Sequence, residues 1–388
     1  MKKTMFLIIL IILIPSLVFA INQVDGYEGS VIDEQLDVFD TSQLQSLIDE
    51  ILKNNDYIQG LDFKDTLKKL IKGDEVLRWN SLKEALGKMF FGEVRLNLLF
   101  LSKVLVIAII SAILTNLQSS FEQSNVSTLA NYISYVLIAI LVLGSFHQLI
   151  ETVKGTIDTL VNFMELILPV LLTLLVLAGG PNTKVLFHPM IIVVVNIIGE
   201  VVKNVVFPMI YFTFIISILS NLSERKEFKK LSELGRQVIV FIITASFTVF
   251  IGIITIYGLS SKIDGITIRT AKFAVDTFVP IVGCFLSDAV ETVIGSSTVL
   301  KNGVGIIGLF LLIVITIFPV IKIAALLLVY KIVEVIIEPI VSSTISNFFS
   351  EVINILLLVL ISMVSTAIMF FITITIIVDT GNNLLMLR

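Results

Sequence analysis

The residues best suited to chemistry lie in one stretch, Ala274 to Gly305 (AVDTFVPIVGCFLSDAVETVIGSSTVLKNGVG). Asp276, Asp288 and Glu291 stand there among Val, Phe and Ile, and Pro280 and Gly283 can bend a helix. Asp288 and Glu291 share one helical face at i,i+3. Three carboxylates with so few bases nearby do not belong against lipid. They face a protein interior, an aqueous cavity or the membrane surface. One reading is a polar pathway or cation site; the other is a surface-lying amphipathic helix with solvated acids. Glu165 with Pro169, and Glu200 with Lys203, place further charge and bend signals inside apolar sequence.

Catalysis finds little support in these residues. Intramembrane hydrolysis needs a nucleophile–base pair or an aspartyl dyad, and Asp276 and Asp288 lie twelve residues apart without such a context. No Gly-rich nucleotide loop follows a strand, so ATP chemistry is left to a partner. One cysteine, Cys284, makes neither an intramolecular disulfide nor a zinc site. His147 and His188 are separated by apolar runs and lack a Cys or acidic cluster, which does not make a metal site. The expectation is a protein that is not an enzyme and has no cofactor.

The elements that position these charges are set by lipid. Mean hydropathy is +1.02 and only 15% of residues are charged, against about 25% in a soluble chain. Six or more apolar runs of spanning length fill residues 97 to 378. A helix of about 20 apolar residues matches the hydrocarbon layer, and its backbone must satisfy itself there. The expected fold is all-α, a polytopic helical membrane protein. Net charge is −4 overall, yet residues 22–95 hold fifteen acids against nine bases. The acidic excess sits in that N-terminal segment, and no basic face suggests nucleic acid.

Lys2-Lys3, an apolar run from Met5 to Phe19, and Val18-Phe19-Ala20 read as a secretory signal over 1–20. The alternative is a retained first membrane helix. Either way, residues 21–95 form an acidic helical domain outside the cytoplasm. Asp40-Thr41 can cap a helix with Leu44, Leu47, Ile48, Ile51 and Leu52 on its apolar face. A second helix carries Phe63, Leu67, Leu70 and Ile71. Ser81 with Glu84 makes a capping box for a third, which can run into the first span. This domain either docks on the membrane or a partner, or forms an independent small bundle.

Residues 96–388 make the multi-pass transmembrane domain. Spans are expected at 97–117 and 129–150, then Leu160 to Gly180, interrupted by Glu165 and Pro169. Met190 to Leu222 is long for one crossing and reads as two helices meeting near Lys203. The alternative is one kinked helix with a Glu200–Lys203 pair. Ser223 to Gln237 reads as a dense basic loop, with Arg225, Lys226, Lys229, Lys230 and Arg236. The positive-inside rule puts it in the cytoplasm, so an odd number of crossings precedes it; five fit the split. Val238 to Leu259 follows, then the mixed segment Lys262 to Lys301. Gly303 to Ile337 is broken by Pro319 and Lys322, and Val352 to Val378 closes the series.

Landmarks recur at an offset of 111 residues: Pro169 and Pro280, Phe207-Pro208 and Phe318-Pro319, and Glu165 and Asp276. We read 154–259 and 265–376 as diverged repeats. Repeats with interrupted helices also suit a secondary transporter. That leaves a permease for a small solute or ion, using the acids of 276–291, as the alternative function.

The Ala274–Gly305 stretch resembles the stage III sporulation protein AE family of endospore-forming bacteria. Ala274-Val275-Asp276, Phe278, Pro280, Gly283, Leu286-Ser287-Asp288-Ala289-Val290-Glu291-Thr292, Gly295 and Lys301-Asn302 carry the resemblance. The plan of export signal, small outside domain and hydrophobic remainder is similar too. Cys284 departs from it, standing where a small residue such as Gly is expected. The resemblance implies a non-enzymatic subunit of a secretion-like channel or feeding apparatus between mother cell and forespore. It implies as partners the other membrane proteins of the same operon, ring subunits and an ATPase among them, and a forespore-side protein. It also implies the mother-cell membrane around the forespore as location, with the N-terminal domain facing the intermembrane space. It supplies no catalytic residues.

Overall fold

A computed structural model describes residues 79–119, 124–178, 181–222, 226–278 and 282–386, with a few helical positions between 42 and 69. Side-chain surroundings are described for 86–113, 129, 131–178, 189–222, 227–256 and 292–380, and at those few earlier positions. The described residues form helices and no strand. In order these are α1 (Trp79–Ser119), α2 (Ser124–Leu177), α3 (Pro181–Val201), a π-helical turn (Val202–Val206), α4 (Phe207–Leu222), α5 (Lys226–Phe278), α6 (Val282–Ile337) and α7 (Ser343–Met386). Among the described residues six helices are long and apolar enough to cross a membrane, α3 and α4 counting as one. This is an all-α polytopic membrane protein. The expected signal over 1–20 lies outside the described residues.

The longest helices outrun a bilayer. At 1.5 Å per residue α6, with 56 residues, is about 84 Å long, against a hydrocarbon layer of about 30 Å. Helices α6 and α7 form the centre, with 67% of each apolar window buried; in α1 and α5 the figure is 22%. Those outer helices show lipid their Leu99, Val106, Ile110, Phe241 and Val249 side chains. Large aromatics fill the interior. Phe146 lies against Phe214 with ring centres 4.2 Å apart, and Tyr135 meets Phe348 edge-on. The Tyr135 hydroxyl also donates to the Ile218 carbonyl at 2.7 Å, which satisfies a polar tip that apolar surroundings would otherwise strand.

Several expected breaks are absent. The runs 129–150 and 160–180 were expected as separate spans, yet α2 continues through the polar stretch between them. Local partners make that possible. The hydroxyls of Thr152, Thr156 and Thr159 donate to the carbonyls of Gln148, Thr152 and Gly155. Lys154 pairs with Glu151 at 3.3 Å. Pro169 stands inside α2 without ending it. Likewise, Pro319 and Lys322 sit within an unbroken α6.

The two helices expected to meet near Lys203 form one continuous helical run. Backbone angles at Val201 (φ −62°, ψ −44°) and Phe207 (φ −66°, ψ −42°) stay helical, and the Phe207 N–H donates to the Val202 carbonyl. Pro208 explains the π turn: it has no N–H to give residue 204, and its ring crowds that carbonyl. A wider turn absorbs both effects. Among the described residues three helices of spanning length therefore precede the basic segment, rather than the five expected crossings. That segment is also less of a loop than expected, since α5 begins at Lys226.

Leu67 and Thr66 are buried, and Leu67 joins the apolar core of the bundle. Part of the N-terminal segment thus packs on the helices. Of the proline landmarks, Pro208 and Pro319 stand inside helices. Pro169 is inside α2, and Pro280 lies outside the described residues.

Candidate functional site: polar positions within the helical bundle

Three groups of polar side chains interrupt the apolar packing. The first surrounds the π turn. Lys203 donates to both Asp158 carboxylate oxygens of α2, at 2.6 and 2.8 Å. Glu200 accepts from Asn204, not from Lys203 as the i,i+3 spacing suggested. The π turn rephases the helix between these positions, and Lys203 reaches the neighbouring helix. The pair stays partly open, with 34% and 48% of the two side chains exposed. Glu165 is exposed farther along α2, and Pro169 is half-buried on the same helix.

The second group is centred on Lys301, which is fully buried. Its ammonium donates to the Val378 carbonyl of α7 at 2.6 Å, and the Asp379 carboxylate is close enough to attract it. Gly305 lies one turn on, where a Cβ would come 2.1 Å from Val378 Cγ2. Only glycine lets the two helices approach so closely there, a device common between membrane helices. The Asn302 side-chain oxygen is buried and has no hydrogen-bond partner among the described residues.

The third group ties helix ends together near the 338–342 connection. Arg236 of α5 pairs with Glu351 of α7 at 2.9 Å, both about one-fifth exposed. Glu351 also accepts from Ser217 of α4 at 3.2 Å. Ser350, next to Glu351 on α7, donates to Glu334 of α6, which also accepts from Lys331. One ion pair and two hydroxyl–carboxylate hydrogen bonds thus link α4, α5, α6 and α7 where the basic segment enters the bundle.

Sequence reasoning found Glu200 and Lys203 but missed Asp158, whose role depends on two helices meeting. It also missed the burial of Lys301, although that residue belongs to the motif that carries the resemblance. The only signal was a lysine just before an unbroken apolar run. Asp276 lies on the last turn of α5; Gly283, Asp288 and Glu291 lie on the first turns of α6. The surroundings of those side chains, and Pro280 altogether, fall outside the described residues. Among the described residues no three His, Cys, Asp or Glu side chains gather as metal ligands.

Comparison with known proteins bears on this arrangement. The family model for stage III sporulation protein AE matches residues 61–381. The stage III sporulation protein AE of Bacillus subtilis (strain 168) is 34% identical over 326 residues, covering 84% of this chain and 82% of that protein. No solved structure matches. The matched region takes in α1 to α6 and most of α7, with Asp158, Lys203, Lys301 and Glu351 inside it. A match of this extent shows that the chain belongs to the stage III sporulation protein AE family.

Proposed function

We propose that the chain is a non-enzymatic membrane subunit of a sporulation-specific, secretion-like channel that links mother cell and forespore and supports late forespore development. The family match over 61–381 is the observation that carries this reading. The bundle of six spanning helices suits it, because such a bundle can line or anchor a conduit. Its partners are the membrane proteins of the same sporulation set, ring subunits and an ATPase that supplies energy, with a forespore-side protein across the intermembrane space.

The chain sits in the mother-cell membrane surrounding the forespore. The basic start of α5, with Lys229, Lys230 and Arg236, faces the mother-cell cytoplasm under the positive-inside rule. Three crossings then put the segment before α1 in the intermembrane space, behind an export signal. The test is deletion of the chain and complementation in trans. Late forespore-specific transcription and heat-resistant spores are counted. Both should fall sharply on deletion and return on complementation; unchanged late forespore transcription in the deletion strain would refute the reading.

A further inference from the structure

One face of α1 carries two cations among side chains that meet lipid. Arg95 and Lys103, both exposed, lie about 12 Å apart along the helix and on the same side. Leu99 stands between them, 73% exposed, and Val106 and Ile110 continue that face, 56% and 51% exposed. Val104, Ala108 and Ala112 take the opposite side into the bundle. The expected span begins at 97, so Arg95 stands at its end and Lys103 lies within it.

Neither cation is answered within the described residues. The ion pairs there join Lys154 to Glu151, Lys203 to Asp158, Arg236 to Glu351 and Lys331 to Glu334. Glu93, the carboxylate nearest to Arg95 along α1, is about 200° round the helix from it. A lysine inside a span lays its stem along apolar surface and turns its ammonium toward an interface. Helical side chains tilt toward the N-terminus, and on α1 that is the Arg95 end. On the other side of Lys103, between α1 and α2, lies a groove of 440 Å³ lined by Ser102, Lys103, Val106, Ile107 and Leu141. Ser102 and Lys103 apart, its walls are aliphatic.

We propose that Arg95, Lys103 and this groove bind one anionic phospholipid. Its phosphate sits between the two cations, and an acyl chain runs from there into the groove, away from Arg95. Charge complementarity selects this occupant: two cations without a carboxylate call for an anion, and aliphatic walls call for a hydrocarbon chain. One molecule of the bilayer supplies both. A carboxylate on a neighbouring membrane protein would answer the charges and leave the groove empty. The bound lipid bridges α1 to α2, and α1 is among the least buried of the spanning helices.

Native mass spectrometry of the full chain, purified in a non-ionic detergent, provides the test. Dioleoyl phosphatidylglycerol and dioleoyl phosphatidylcholine are titrated separately, and the affinity for the first bound lipid is read. The glycerol headgroup should bind several-fold more tightly than the choline one. Lys103→Gln and Arg95→Gln should each weaken phosphatidylglycerol several-fold, Lys103→Arg should keep it, and Lys229→Gln on α5 should leave it unchanged. Leu141→Trp fills the groove and should weaken it with both cations in place; should that chain not elute as a folded species, Val106→Trp at an exposed wall position replaces it. Equal affinity for the two lipids overturns the proposal. So does a loss at Lys229→Gln as large as at Lys103→Gln, which marks diffuse surface attraction. Full binding with the groove filled overturns it too, since the headgroup alone would then be held.

Discussion

Replacing Gly305 with alanine adds one methyl group at the tightest contact between α6 and α7. Its Cβ would stand 2.1 Å from Val378 Cγ2, where carbon atoms pack at about 3.5–4.0 Å. The helices must part by more than an ångström, or Val378 must leave its rotamer. Parting breaks a second interaction, because the Lys301 ammonium reaches the carbonyl of that same Val378 at 2.6 Å. Overpacking costs about 1–3 kcal/mol and the loss of a hydrogen bond to a charged group about 1.5–3 kcal/mol. The better helix propensity of alanine returns about 1 kcal/mol. The net expectation is a loss of about 1.5–5 kcal/mol, using those same ranges. It is measured as the midpoint of thermal aggregation in detergent, read by fluorescence-detected size exclusion. Gly305→Ala/Val378→Ala removes the colliding methyls and should recover most of the loss. A single variant as stable as the natural protein, or a double variant no better than the single, would refute the close-approach argument.

Other substitutions separate the remaining polar groups. Lys301→Met keeps the buried stem and removes the ammonium; since a buried charge costs about as much as its pairing returns, the aggregation midpoint should move little, whereas Lys301→Ala leaves a cavity and costs about 2–5 kcal/mol. A stable Lys301→Met chain that fails to support sporulation would assign the charge a role beyond packing. Glu351→Gln leaves Arg236 without its carboxylate in a mostly buried place and should cost about 1.5–3 kcal/mol, seen as a lower midpoint that Arg236→Gln in the same chain partly restores. Lys203→Met breaks a pair that is one-third to one-half open, so solvent screening leaves little to lose and the midpoint should stay close to that of the natural protein in the same assay. Asp288→Asn and Glu291→Gln test the permease alternative: sporulation at full efficiency, with expression verified, counts against transport through those acids.

The fold class was legible because the apolar runs exceed what any soluble core requires. The count of crossings was not. Pro169, Pro208 and Pro319 signal interruption in sequence, yet each stands within a continuous helical run. At Pro208 the interruption became a π turn, which no spacing rule announces. The charges were found where they share one helix, as Glu200 and Lys203 do. They were missed where the partners lie on different helices, as with Asp158 and Glu351, because side-chain spacing along the sequence holds no distance to a second helix. Lys301 shows a further limit: its burial follows from the tight α6–α7 contact made by Gly305, and nothing next to it in sequence reports that contact.

The π turn at Val202–Val206 acts as a phase shifter. One residue more than a regular turn advances the remaining helix by about 100°. That offset lets Lys203 address Asp158 while Phe207, Ile210 and Phe214, just beyond it, all enter the core. Deleting a single residue between 202 and 206 would rotate one of these two sets out of place, whatever side chain was removed. Insertions and deletions there should therefore harm the protein far more than substitutions do.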